Sequence, residues 1–448
     1  MERKPKVVIV GGGFGGLWAA KALANKAVDV MLIDRKNHHV FQPLLYQVAT
    51  AVLSPGEIAQ PIRRILHYAR NIEVILGEVI GFDTANSTVR LDDGEQVAFD
   101  YLIVAAGARH AYFGHDDWEA SAPGLKTLED AVEIRRRVLL AFELAERDAY
   151  LKGTHNPLNF VVVGGGPTGV ELAGAIADIA RQALAKDFKA IDTRKSRVIL
   201  FEGSDHVLGT FANDLSESAK SQLEDLGVEV RLNSLVTDIA PGKVKVGDEW
   251  IKCNVVLWAT GVAASPIGKL LGVETDNAGR VFVQPDLTIP EHKNVFVIGD
   301  MASLKQENGD PVPGVSPAAM QMGTLTAKNI LAELKGRERR NFIYVDKGTM
   351  ATIGRSKAIA QLAGLKFKGL IAWVMWLGLH VFFLIGFRNR IIVMLEWFWA
   401  YLTRERSARL ITGDADELRN AVLFLGGKGD PTVGAESSDK KLAAKVDR

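Results

Sequence analysis

The chain has 448 residues, more than a single hydrophobic core usually spans, so two or three domains are expected. A net charge of +1 gives no overall attraction to nucleic acid, and a hydrophobic share of 48% lies at the top of the globular range. The one cysteine, Cys253, rules out an intrachain disulfide, a Cys-x-x-Cys pair and a thiolate metal cluster.

The first element is the apolar run Val7-Val8-Ile9-Val10. It is too short for the apolar region of a secretory signal and passes directly into glycines, so it reads as a buried parallel strand. A fold on the cytoplasmic side is expected. Gly11-Gly12-Gly13-Phe14-Gly15-Gly16 follows, then the helix-like Leu17 to Leu23. Gly11 allows a tight turn, Gly13 allows backbone to approach a pyrophosphate, and Gly16 allows helix to pack closely on strand. The helix start presents free N–H groups to phosphate. A second apolar run, Val30 to Ile33, ends at Asp34, whose carboxylate suits a ribose diol. Strand, glycines, helix, strand and acid in this order form a dinucleotide site. His38 and His39 come next without other ligand types nearby, so they read as packing residues, and no metal site is indicated.

The same order recurs downstream. Phe160 to Val163 leads into Gly164-Gly165-Gly166-Pro167-Thr168-Gly169 and the small-residue helix from Val170, which carries Glu171 in its first turn. There the helix dipole favours a carboxylate. The basic stretch 181–195 reads as a longer helix and loop before the strand Arg197 to Phe201, which ends at Glu202. A carboxylate there repels a 2′-phosphate, so NADH is favoured over NADPH. Tyr101 to Gly107 and Val255 to Gly261 are matching strand-to-glycine ends, one for each fold, and Cys253 just before the latter reads as core packing. Asn294 to Ile298 is a further buried strand, ending in Gly299-Asp300, where the acid suits ribityl hydroxyls.

Beyond Arg355 the character changes. Residues 369–387 are apolar except His380, and 391–402 carry one charge, Glu396. Half of the eight Trp residues (373, 376, 397 and 399) fall here, and Trp favours the membrane interface. Lys366, Lys368, Arg388, Arg390, Arg404, Arg406 and Arg409 flank both stretches. Basic residues on both sides give no orientation for a span, and the second stretch is too short to return across a bilayer. Two interfacial helices, with basic residues on anionic headgroups, are the expected arrangement. From Gly426 onward no core pattern remains, and a disordered tail is expected.

These features together are similar to the type II NADH:quinone oxidoreductases, single-subunit, non-pumping members of the two-dinucleotide-binding-domain flavoproteins. The resemblance rests on both glycine loops, on Asn37-His38-His39-Val40-Phe41-Gln42-Pro43-Leu44-Leu45-Tyr46-Gln47-Val48-Ala49-Thr50, on Gly299-Asp300, and on Gly386-Phe387-Arg388-Asn389-Arg390. It implies an α/β chain with two Rossmann-like, glutathione-reductase-like domains and a C-terminal amphipathic helical membrane-binding region. Residues 1–118 and 285–335 would bind FAD, 119–284 NADH, 336–425 the membrane, and 426–448 would be the tail. FAD, held non-covalently, would contact Gly11, Gly13, Phe14, Gly16, Asp34, Arg35, Thr50, Val79, Gly107, Gly299, Asp300, Ala318 and Gln321. NADH would contact Gly164, Gly166, Thr168, Gly169, Glu171, Glu202 and Gly261.

Glu171 and Gln321 would be catalytic, Glu171 orienting NADH or relaying a proton. A membrane quinone, ubiquinone or menaquinone, would meet Thr50, Pro317, Gln321 and His380. Where the family has Ala-Gln-x-Ala-x-Gln, this chain has Ser316-Pro317-Ala318-Ala319-Met320-Gln321, so Pro317 stands in place of a glutamine. Homodimers and attachment to the cytoplasmic face of the inner membrane are further implications. A soluble NADH-dependent reductase with a protein acceptor and a non-enzymatic NADH-sensing flavoprotein are the alternatives.

Overall fold

In the computed structural model, residues 3–413 and 418 are described, apart from 291, 404 and 407. The tail expected from 426 lies outside them. The strand Lys6–Val10 is central to a six-stranded sheet, flanked in parallel by Asp29–Asp34 and Tyr101–Val104. Ile72–Leu76 completes one side, and the late strand His292–Val297 returns to lie beside Tyr101–Val104 on the other. Val7, Val8 and Ile9 are fully buried, as a strand covered on both faces requires. Helices Phe14–Leu23 and Ser316–Glu333 pack together on this sheet. Their backbones meet where Gly323 faces Gly15: a Cβ at Gly323 would lie 2.1 Å from the Gly15 carbonyl oxygen.

The second parallel sheet runs Val228–Arg231, Arg197–Phe201, Asn159–Val163, Val255–Trp258. The basic stretch before Arg197–Phe201 is a π-helical turn, Ile179–Ala183, that prolongs helix Pro167–Asp178, followed by loop and a short 3-10 turn. Strands Ala108–His110 and Val262–Ala264 pair antiparallel and tie the two halves together. The 25-residue helix Leu128–Lys152, closed at its start by a Thr127/Asp130 capping box, packs on Leu45–Ala49.

The C-terminal region is more than a helix pair. Residues Thr349–Gly354, Lys357–Leu362 and Leu365–Lys368 form an antiparallel three-stranded sheet, in a region where helices alone were expected. It leads into helices Leu370–Phe383 and Phe387–Thr403. Among the described residues no helix is long and apolar enough to cross a membrane. Both helices leave large apolar side chains in solvent, among them Ile371, Phe382, Leu395, Phe398 and Leu402.

Several residues expected at the lipid surface turn inward. Trp376 is 1% exposed and Trp373 and Trp397 wall a cavity, leaving Trp399 as the outward-facing one of the four. Arg406 is 6% exposed, and its guanidinium donates to the Thr50 and Ala175 carbonyls and to Asp178. Arg409 pairs with Asp187, and Lys366 pairs with Asp214 at 2.6 Å.

Candidate active site

Two recesses meet the second nucleotide helix or the first glycine turn. The larger, about 650 Å³, runs along the C-terminal edge of the first sheet. Gly11, Gly13, Phe14, Asp34, Arg35, Val79, Gly107, Gly299 and Asp300 all line it. The turn at Gly11 has φ +102°, and a Cβ there would sit 2.5 Å from the Ala105 carbonyl oxygen. Gly16 lies behind the lining, where a Cβ would meet the Gly11 carbonyl oxygen at 1.9 Å, so it sets the helix against the turn. Around Gly13 and Gly107 there is open space, as close approach of a pyrophosphate needs. The Gly12 N–H donates to Asp34 Oδ2 at 2.5 Å, which leaves Asp34 facing the recess.

Lys126 Nζ lies 3.3 Å from Asp300 Oδ2 over the same space. His38 and His39 also line it, each with a buried Nε2 that has no protein partner. His39 Nδ1 is engaged with the Gly12 carbonyl at 2.9 Å, and burial pulls its pKa down to about 4, so the ring is neutral. An anion cradle, a ribose-matched carboxylate and two orphan imidazole nitrogens fit an FAD.

The second turn repeats the first. Gly164 has φ +106°, a Cβ at Gly169 would lie 1.9 Å from the Gly164 carbonyl oxygen, and Gly166 faces open space. Gly165 N–H donates to Glu202 Oε2 at 2.6 Å. Burial opposes the Glu202 charge, but Ser204 and Gly165 donors outweigh it and hold the carboxyl below its usual range. Gly261 lies across the crevice, beneath the exposed Phe113 ring, and Thr260 beside it has a buried hydroxyl without a partner. Thr168 stands in the first turn of helix Pro167–Asp178, next to Pro167, which needs no N–H partner there.

Glu171, Ala175 and Asp178 fall on one stripe of that helix and face a second, narrower cavity of about 140 Å³. Its other walls are Tyr46 and Gln47, Thr352 and Ile353, and Trp373, Trp376, Trp397 and Tyr401 from the C-terminal helices. Gly174 makes the arrangement possible: a Cβ there would lie 1.7 Å from the Ile353 carbonyl oxygen, so strand Thr349–Gly354 rides directly on the helix. The Glu171 carboxyl looks into the cavity but is ringed by protein elsewhere. Burial raises its pKa to about 8, against the opposing pull of the Thr352 N–H, so it is protonated at neutral pH.

Five residues expected to touch a ligand line neither recess. Gln321 has its amide engaged at both ends, Nε2 donating to the Val345 carbonyl and Oε1 accepting from the Val345 N–H, each at 3.0 Å. It lines neither recess; Ser316 and Ala319 reach the flavin-sized one instead. Thr50 is fully buried, its hydroxyl donating to the Tyr46 carbonyl at 2.8 Å. Ala318 is buried behind the helix start, and Pro317 sits in its first turn, where a missing N–H costs nothing. His380 stacks on Trp376 with centroids 4.0 Å apart and meets Trp376 O through Nδ1 at 2.7 Å, with a pKa pulled to about 4 by burial. It packs behind the cavity wall. Tyr46, Gln47, Thr352 and Trp397, by contrast, form that wall, and no local pattern marked any of them as doing so.

Two dinucleotide crevices on parallel sheets, the first suited to a flavin, define a two-nucleotide flavoprotein fold. The profile of the pyridine nucleotide-disulphide oxidoreductase family matches residues 5–323, and that of the NDH2 C-terminal domain matches 347–405. The chain is 45% identical to the type II NADH:quinone oxidoreductase Ndh of Mycobacterium tuberculosis, over 99% of this chain and 97% of that protein. The type II NADH:quinone oxidoreductase of Haemophilus influenzae is 29% identical over 80% of this chain and 86% of its own. Among solved structures, NDH2 of Plasmodium falciparum in complex with NADH superimposes with a TM-score of 0.82 at 20% identity, covering 92% of this chain and all of that one. The sulfide:quinone oxidoreductase of Aquifex aeolicus shares the fold with a TM-score of 0.69, at 19% identity over 86% of this chain and 92% of that one. The chain belongs to the type II NADH:quinone oxidoreductases.

Proposed function

We propose that the protein oxidises NADH and passes the two electrons, through one non-covalently held FAD, to a quinone, without moving protons across a membrane. One observation carries this reading. A single helix, Pro167–Asp178, opens on the second nucleotide crevice and, just beyond its first turn rather than within it as expected, offers Glu171 to a separate apolar cavity walled by the C-terminal helices. Donor and acceptor sites thus share an element without sharing a space.

FAD, when bound, supplies acceptance of hydride and delivery of electron pairs. The rest is the work of the chain. Gly164–Gly169 and the helix start hold the NADH pyrophosphate, and Glu202 takes the adenine ribose diol and repels a 2′-phosphate. Gly11–Gly16, Asp34 and Asp300, with Lys126 beside it, hold the FAD. The overall reaction balances as NADH, quinone and one solvent proton giving NAD⁺ and quinol. Glu171, protonated at neutral pH, delivers a proton to a quinone oxygen and is reprotonated from water. Ubiquinone or menaquinone reaches this cavity from the lipid side. The exposed apolar faces of Leu370–Phe383 and Phe387–Thr403 lie in one leaflet of the cytoplasmic side, on anionic lipid, and serve as the pairing region of a homodimer.

The test is anaerobic. The FAD-loaded enzyme is reduced with one equivalent of NADH, a quinone analogue is added in detergent, and flavin absorbance is followed. Fast bleaching and fast recovery are expected. Bleaching without recovery would remove the quinone from this reading and leave an NADH-reducible flavoprotein.

A further inference from the structure

The polar atoms of the acceptor cavity have a fixed direction. An indole N–H only donates, and Trp397 Nε1 lies 2.7 Å from Gln47 Oε1. That contact sets the orientation of the Gln47 amide, so the group facing Tyr46 is its NH₂, with Nε2 donating to the phenol oxygen at 2.9 Å. Tyr46 therefore receives from Gln47, and its own proton must go elsewhere. The hydroxyl of Thr352 is its neighbour. Between them Tyr46 and Thr352 have two hydroxyl protons. The protein acceptors in reach of Thr352 are the Gly354 and Lys357 carbonyls, both at a weak 3.4 Å. Because those carbonyls hold the Thr352 proton only weakly, a stronger acceptor in the cavity that all four residues line can take a hydroxyl proton from the pair.

The same wall presents Glu171. Its Coulombic interaction with Tyr46 joins the two groups electrostatically, and Thr352 faces both, by its N–H towards the carboxyl and by its hydroxyl towards the phenol. Tyr46 is 8% exposed and Gln47 7%, so neither is solvated well enough to turn freely.

We propose that Tyr46, oriented by the one-way chain from Trp397 through Gln47, is the hydrogen-bond donor that holds a quinone carbonyl oxygen beside Glu171. This rests on assigning the cavity to the quinone. The two acids divide the task. Burial keeps the phenol protonated far above neutral pH, so Tyr46 remains a donor throughout and positions, whereas Glu171 can release its proton. The chain begins on the helix Phe387–Thr403, whose outer face is apolar, so the donor is set from the lipid-facing end of the molecule.

The experiment compares wild type, Tyr46→Phe and Trp397→Phe by stopped flow, all as FAD-loaded full-length enzyme. Each is reduced with NADH and reoxidised either by a short-chain quinone analogue or by ferricyanide, which accepts electrons without a carbonyl. In Tyr46→Phe, reoxidation by subsaturating quinone should slow about tenfold, the loss of one hydrogen bond in a desolvated site, mainly through a raised quinone KM. Trp397→Phe frees the Gln47 amide to turn and should slow it about threefold. Bleaching by NADH and recovery with ferricyanide serve as references and should keep their rates. Tyr46→Phe with wild-type quinone kinetics would overturn the proposal, as would an equal loss with ferricyanide, which marks a structural effect. Wild type that bleaches but is not reoxidised by the quinone would instead fail at the underlying assignment, and the proposal would go with it.

Discussion

The two glycine turns solve one physical problem twice, and the position two residues beyond them is where their helices take different work. In both, a positive-φ glycine opens the turn, a buried glycine seats the helix 1.9 Å (from a would-be Cβ) off the first carbonyl, and a carboxylate from the next strand accepts the middle glycine's N–H. Two residues past the last glycine the first helix carries Trp18 and the second Glu171. Trp18 is closed in by Phe14, His39 and the Lys21 ammonium, 4.4 Å from its ring, and does packing work. Glu171 faces a cavity built by a third part of the chain. The cradle is therefore what a dinucleotide demands, and the first position beyond it that is not fully buried is where a half-reaction can be added.

The largest effect should come from breaking the shared part. Gly16→Ala and Gly169→Ala each force a Cβ into backbone, a clash of about 3 kcal/mol or more. Gly16→Ala should be purified without yellow colour. Gly169→Ala should keep its FAD and fail to bleach with NADH. If both lost flavin equally, the two cradles would not be separate sites.

Next is the position where Trp18 and Glu171 stand. Glu171→Gln should slow quinone reoxidation about a hundredfold, since a general acid is lost, while Trp18→Phe changes it little. The pH dependence follows from the sign of the shift. The folded pKa, about 8, lies above the unfolded value of 4.5, so the carboxyl's burial is fully accommodated below pH 4.5 and increasingly unfavourable up to pH 8. In the wild type stability should decline between pH 4.5 and 8 and level off above, the rate should fall as pH rises through 8, and Glu171→Gln should flatten both. A wild-type profile without that alkaline fall would show that Glu171 is ionised in the working enzyme.

A smaller effect separates the two strand-end acids. Glu202→Gln removes the repulsion of a 2′-phosphate, and the NADPH-to-NADH ratio of kcat/KM should rise on the order of tenfold. Asp34→Asn should leave that ratio alone and weaken FAD retention. A shift in nucleotide preference from Asp34→Asn would contradict the assignment of the crevices.

Both turns and both strand-end acids were legible in the sequence because each holds a fixed place in a strand, turn, helix, strand order contained in a few tens of residues. What was not legible depends on pairing across hundreds. Gln47 and Trp397 are brought together only by the fold, and nothing near either says so. Gln321 matched a motif, but a motif does not show that Val345 engages its amide at both ends. Arg406 looked like one more basic flank until Thr50, Ala175 and Asp178 surrounded it. The sheet at 349–368 did leave a signal. Short alternating runs break at Arg355-Ser356 and Ala363-Gly364, where Ser356, Ala363 and Gly364 all have positive φ.

The smallest expected effect concerns sulfur, and it bears on where the chemistry of the second half resides. Cys253 precedes the strand Val255–Trp258 that borders the second crevice, so proximity alone would allow it a redox role. Its surroundings argue otherwise. The thiol is 6% exposed, and burial pushes its pKa up to about 12, which leaves on the order of one thiolate in ten thousand at pH 8. A thiol reagent should leave the folded enzyme unlabelled and active, and label it at once after denaturation. Cys253→Ser should cost about 1 kcal/mol of stability and leave both half-reactions within about twofold of wild type. Alkylation that blocked reoxidation of the folded enzyme would move the chemistry from the carboxyl at position 171 to sulfur, and would make the difference between the two turns incidental.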